Sequence, residues 1–115
     1  MKLADRQLNA SAAEALLKAM ANEARLMILC ELLQGERTVT ELHEAVHLSM
    51  SAVSQHLARL REESIVATRR ESQTIYYSLA SDAAERMLAT LHDIFCAPPS
   101  AKPPKTLKTK TWREQ

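Results

Sequence analysis

The sequence predicts a mainly α-helical domain that carries one two-stranded β-hairpin. Three observations carry that expectation. Apolar residues recur at helical spacing before Ser64 and again after Ser81. Between these stretches, β-branched and aromatic residues gather in two short runs. Finally, Ser, Thr or Asn stands at the front of each helical run, where a side-chain oxygen can satisfy the free backbone N–H groups.

From Asn9 to Met20, Leu16, Ala19 and Met20 fall on one face with Ala12 and Ala13 behind them, and Asn9 or Ser11 can cap the start. Asn22 opens a second helix whose stripe of Leu26, Leu29, Cys30 and Leu33 ends at Gly35, a left-handed stop. Cys30 is expected on its buried side. Thr40 can cap a short third helix holding Leu42, Ala45 and Val46. Ser49 or Ser51 can cap a fourth holding Val53, Leu57 and Leu60, with His47-Leu48-Ser49-Met50 as a tight turn between the two.

Ile65, Val66 and Thr68, then Thr74, Ile75, Tyr76, Tyr77 and Leu79, read as two strands of a hairpin around the polar interval Arg69-Arg70-Glu71-Ser72-Gln73. With no glycine and no Asn-Gly pair there, the expected turn is longer than two residues and mobile. Ser81 and Asp82 open a last helix with Ala84, Met87, Leu88, Leu91, Ile94 and Phe95 on one stripe, ending before Pro98-Pro99. Two helices, a turn, a further helix and a basic hairpin form the order of a winged helix-turn-helix, in which the helix after the turn is pushed outward to enter a DNA major groove.

Composition limits the rest. At 115 residues the chain has room for one small core. The expected division is a domain over residues 1–97 and a disordered tail over residues 98–115, where prolines and lysines alternate with almost no apolar residue. The tail holds Lys102, Lys105, Lys108, Lys110 and Arg113 against Glu114, so the chain's net charge of +1 leaves the domain mildly acidic. Affinity for nucleic acid must then come from local basic clusters or from the tail. A single glycine excludes a phosphate-cradling glycine loop, and nucleotide hydrolysis with it. No apolar run is long enough to span a membrane, and charge near Met1 argues against export; the expectation is a cytoplasmic protein with no membrane partner.

Ser49, Ser51, Ser54, Gln55 and His56 are compact hydrogen-bonding groups at the front of the outward helix, placed to reach phosphates and base edges. Ser49 and Ser51 are equally placed to act only as caps, and His56 to fill a polar surface. Arg69 and Arg70, next to the hairpin tip, can touch backbone phosphate or a narrow minor groove, or stand as a solvated charge pair.

The stretches Leu26-Met27-Ile28-Leu29, Thr40-Glu41-Leu42, Leu48-Ser49-Met50-Ser51-Ala52-Val53-Ser54-Gln55-His56-Leu57 and Thr68-Arg69-Arg70-Glu71-Ser72-Gln73-Thr74-Ile75-Tyr76-Tyr77 resemble the ArsR family of small dimeric repressors, over residues 11–96. The resemblance implies a homodimer formed through the first and last helices, with two recognition helices meeting a palindromic operator in double-stranded DNA. Met50 departs from the pattern, since close relatives tend to have glutamine there, and a thioether cannot make the bidentate contact of an amide to adenine.

Members of the family commonly sense metals. The cysteine pair of arsenic and cadmium sensors falls here on Thr38 and Thr40, whose hydroxyls are poor ligands for soft metals. For the zinc site that other members build on the last helix, only Asp82 and His92 are present. No cofactor is expected. The two cysteines, Cys30 and Cys96, are placed as in the persulfide-sensing SqrR/BigR branch and the related HlyU regulators. That resemblance implies thiols that react with reactive sulfur species or oxidants, become bridged and release DNA.

Read singly, Cys30 is also a small buried hydrophobe and Cys96 an incidental helix-end residue. Cys30 should be the slower thiol through desolvation and Cys96 the more exposed one, while the order of attack stays open. A metal-responsive repressor using Cys30, Cys96 and His92 is the alternative within the family. From another class, a thiol enzyme would need its cysteine at a helix N-terminus or in Cys-x-x-Cys spacing, and the chain has neither, so no enzymatic activity is expected. A protein-binding module that had lost DNA would have no use for Ser54, Gln55, Arg69 and Arg70.

Overall fold

A computed structural model describes residues 7–96; the expected tail lies outside them. Five helices and one hairpin follow in chain order: α1 (Ala10–Met20), α2 (Glu23–Leu33), α3 (Val39–Val46), α4 (Met50–Glu62), β1 (Val66–Glu71), β2 (Thr74–Leu79) and α5 (Asp82–Phe95). Each helix starts where a side-chain oxygen accepts a backbone N–H. Asn9 accepts from Ala12, Asn22 from Arg25, Ser49 from Ala52 and Ser81 from Ala84. Between the candidate pairs, Asn9 rather than Ser11 and Ser49 rather than Ser51 is the cap.

α3 begins earlier than expected. Its cap is Thr38, not Thr40: the Thr38 hydroxyl accepts from the Glu41 N–H at 3.1 Å while the Glu41 carboxylate accepts from the Thr38 N–H at 2.9 Å. This reciprocal pair satisfies two otherwise free donors, whereas a cap at Thr40 would satisfy one. At the other end His47 takes a left-handed conformation (φ 56°), and the His43 ring donates to the Leu48 carbonyl, pinning the turn into α4. α2 closes at Gln34, followed by Gly35 at φ 145°, a backbone region that favours glycine.

The core gathers one face of every helix and the base of the hairpin. Ile28 and Leu29 of α2, Leu42 of α3, Val53, Leu57 and Leu60 of α4 and Ala84 and Leu88 of α5 are wholly buried, with Ile65 and Val66 closing the side toward the hairpin. The strands pair antiparallel from Val66 opposite Leu79 to Glu71 opposite Thr74, so only Ser72 and Gln73 form the turn. The longer turn expected from the lack of glycine is therefore corrected. Ser72 itself adopts the positive φ (61°) that such a tight turn needs, at a local cost that the ladder offsets. A third segment joins the sheet at a single rung. Arg37, between α2 and α3, exchanges both backbone hydrogen bonds with Tyr77, at 3.1 and 2.8 Å.

Candidate functional site

Along α4 the residues buried against the core and those facing solvent separate cleanly. Val53, Leu57 and Leu60 point inward, and Ser51, Ser54, Gln55 and Ala58 form an exposed stripe at i, i+3, i+4 and i+7. The side chains of Ser54 and Gln55 make no hydrogen bond among the described residues, so their polar groups are open to an outside partner. The Ser49 hydroxyl caps the helix and lies 3.4 Å from that of Ser51. His56 sits at the edge of the buried face, half-buried. Burial first, then the charges of Arg25 and Arg59, hold its imidazole below the ordinary 6.5. It is neutral at pH 7 and offers a hydrogen-bonding edge rather than a charge.

On the hairpin the two arginines differ. Arg70 donates through Nε to the Ser72 carbonyl at 3.2 Å and has no ion pair among the described residues. Arg69 binds Glu36 side-on, Nε to Oε2 and Nη2 to Oε1 at 2.9 Å each, and gives Nη1 to Glu71 at 3.1 Å. Its guanidinium also lies over the Tyr76 ring, 4.6 Å from the centroid. The hydrogen bond from Arg69 keeps the Glu36 carboxyl below its ordinary 4.5. The pair is thus fully formed above that pH and lost as the pH falls through the lowered value. Glu36 and Tyr76 do not stand out in the sequence; the one hint was a carboxylate beside the only glycine.

The thiols form the second part of the site. Cys30 on α2 and Cys96, the residue that closes α5, line one groove of about 600 Å³ with Leu26, Met27, Val46, His92 and Phe95. α2 packs directly on α5, which brings together two cysteines far apart in the chain. Both are free thiols, Cys96 exposed and Cys30 half-buried rather than buried as its stripe suggests. Burial, followed by the nearby Cys96 and Glu31 side chains, pushes the Cys30 thiol above its ordinary 9.0. The protonated form is favoured until the pH rises through that raised value. A limiting dose of iodoacetamide at pH 8 should therefore label Cys96 before Cys30, read by peptide mass spectrometry; equal labelling would contradict the burial difference.

Among the described residues no group of three or more His, Cys, Asp or Glu side chains is arranged to hold a metal ion, which leaves Cys30, Cys96 and His92 short of a ligand shell. No helix there is long and apolar enough to cross a membrane.

Comparisons with known proteins bear on the family and the fold. Residues 22–68 match the family described as "Bacterial regulatory protein, arsR family". The chain is 49% identical over 96 residues to the transcriptional activator HlyU of Vibrio cholerae, covering 84% of this chain and 89% of that protein. A solved structure of HlyU from Vibrio cholerae superimposes with a TM-score of 0.74 at 50% identity, over 78% of this chain and 98% of that one. The biofilm growth-associated repressor of Agrobacterium fabrum is 49% identical over 83 residues, 72% of this chain and 71% of that protein. A homodimeric winged helix-turn-helix DNA-binding domain from Mycobacterium bovis, solved in solution, shares the fold at a TM-score of 0.62 and 33% identity, over 75% of this chain and 84% of that one.

Proposed function

The chain belongs to the arsR family of bacterial regulatory proteins, as a DNA-binding transcription regulator with a winged helix-turn-helix fold, and on that premise we propose that it is a thiol-switched repressor. As a homodimer it holds a palindromic operator until reactive sulfur species or an oxidant bridge Cys30 and Cys96. The observation that carries the sensing half is the shared groove, which two free thiols line where α2 packs on α5. The resemblance to the SqrR/BigR and HlyU-like branch supports the same reading.

The chemistry balances with a persulfide as oxidant. One thiolate takes the sulfane sulfur of R–S–SH, giving Cys–S–SH and R–SH. The second thiol then displaces hydrogen sulfide to close the disulfide, and longer donors leave extra sulfur atoms in the bridge. A direct disulfide needs Cα atoms within about 7 Å, so inserted sulfur widens the range of geometries that can close.

For DNA, Ser51, Ser54 and Gln55 would read the major groove from the exposed stripe of α4, with Ser49 and the neutral His56 at its margins, and the hairpin that carries Arg69 and Arg70 would lie as the wing along the sugar-phosphate backbone. Support for the dimer comes from the M. bovis homodimer and from apolar side chains left on the surface. Leu17 of α1 and Met87 of α5 are exposed, and a groove of about 930 Å³ lined by Ala12, Ala13, Leu16, Ile65, Ala83 and Met87 runs between these helices.

The test of the whole reading is binding to duplex DNA from the promoter region of the protein's own gene, with reduced and with persulfide-treated protein. Tight binding by the reduced form and release by the treated form are expected; equal binding by both would remove the switch. Within that assay, Gln55→Ala should lose about 1–3 kcal/mol of specific binding with its melting temperature unchanged, because the side chain faces solvent. Undiminished binding would take Gln55 off the reading face.

A further inference from the structure

We propose that Arg69 is a positioning residue, clamped by Glu36 so as to hold the wing against the α2–α3 loop, and that the wing's phosphate contact is made by Arg70. The proposal rests on the reading of the wing as DNA-facing and divides the labour within it.

Adjacent arginines on a strand point to opposite faces of the hairpin, so they need not share a task. Three N–H donors of Arg69 go to two carboxylates, Glu36 side-on at 2.9 Å and Glu71 at 3.1 Å, and its flat face rests on Tyr76, its cross-strand partner. One guanidinium between two carboxylates leaves the cluster with a net negative charge, which repels phosphate rather than attracting it. Arg70 has no carboxylate partner among the described residues and keeps its full charge for an incoming anion.

The place of Glu36 gives the clamp its purpose. Glu36 is 33 positions away in sequence from Arg69 and next to Arg37, which exchanges two backbone hydrogen bonds with Tyr77. Side-chain clamp and backbone rung thus tie the middle of the hairpin to the loop that leads into α3. A two-stranded hairpin is marginal without such support, and its tip would otherwise swing relative to α4. Bidentate pairing fixes direction as well as distance, a property of guanidinium that an ammonium lacks.

The experiment measures binding to the same promoter duplex over a series of salt concentrations. Arg69→Gln, Arg69→Lys and Glu36→Gln should each weaken binding about three- to tenfold with the salt slope unchanged, and the Glu36→Gln/Arg69→Gln double variant should bind no more weakly than the weaker single. Arg70→Gln should instead lower the slope by about one, the signature of a lost phosphate contact. Circular dichroism keeps the comparison to folded protein. The proposal is overturned if Arg69→Gln lowers the slope by about one while Arg69→Lys binds normally, or if Glu36→Gln binds as well as or better than wild type. Should Arg70→Gln and Gln55→Ala both bind like wild type, the DNA-facing reading itself fails, a result separate from failure of the clamp.

Discussion

Cys30→Ser and Cys96→Ser are each expected to stay on operator DNA at persulfide doses that release the wild-type protein. Serine keeps the size of the side chain but cannot enter a sulfur chain, so neither variant can close the loop between α2 and α5. In the wild type that closure restrains the chain by about 4 kcal/mol on the chain-entropy account, roughly a thousandfold in an equilibrium if the bridged and DNA-bound arrangements differ. Losing it should abolish the response rather than shift its midpoint. Both thiols lie away from the exposed stripe of α4, so binding by the untreated variants should match the reduced wild type. A single variant that still dissociates with the wild-type dose response would sink the two-thiol mechanism. Release by zinc and by no sulfur donor would favour the metal-responsive alternative instead.

How much of this was legible before the structure depends on how local each feature is. Helix identity and caps follow from residues three or four apart, and so Asn22, Ser81 and the stripe of α4 were readable directly. The sequence alone puts the start of α3 two residues late because Thr38 and Thr40 are both good caps, and the choice turns on the Glu41 carboxylate reaching back to Thr38. The tight hairpin turn was hidden for a different reason. Ser72 takes a positive φ that residue preferences assign to glycine or asparagine, and it is held there by the strand pairing around it. Features that join distant parts of the chain left little trace. The single rung between Arg37 and Tyr77 has no period to detect, and the Glu36–Arg69 pair is one of many combinations of opposite charge. Both cysteines could be named from sequence, but the groove that unites them comes from the packing of α2 on α5, as does the partial exposure of Cys30.

The largest loss of stability is expected from Leu57→Ala, about 2–5 kcal/mol, read as a fall in the urea midpoint at unchanged slope. Leu57 is wholly buried on the inward face of α4, between Val53 and Leu60, and α4 packs on α3 and on β1. Truncation removes the transfer energy of the lost methyl groups and leaves a cavity that the surrounding core can fill only in part. In a domain of this size, where total stability is about 5–15 kcal/mol, that is a large fraction of the whole. Leu57→Met, which keeps the volume, should cost less than about 1.5 kcal/mol and retain operator binding. Two positions earlier on the same helix, Gln55→Ala should do the reverse, weakening DNA binding without moving the urea midpoint. A single helix would then show two separable faces, one holding the fold and one facing the groove. An unchanged midpoint in Leu57→Ala would mean that α4 is not anchored through this face, and the exposed stripe opposite would lose the support that aims it at DNA.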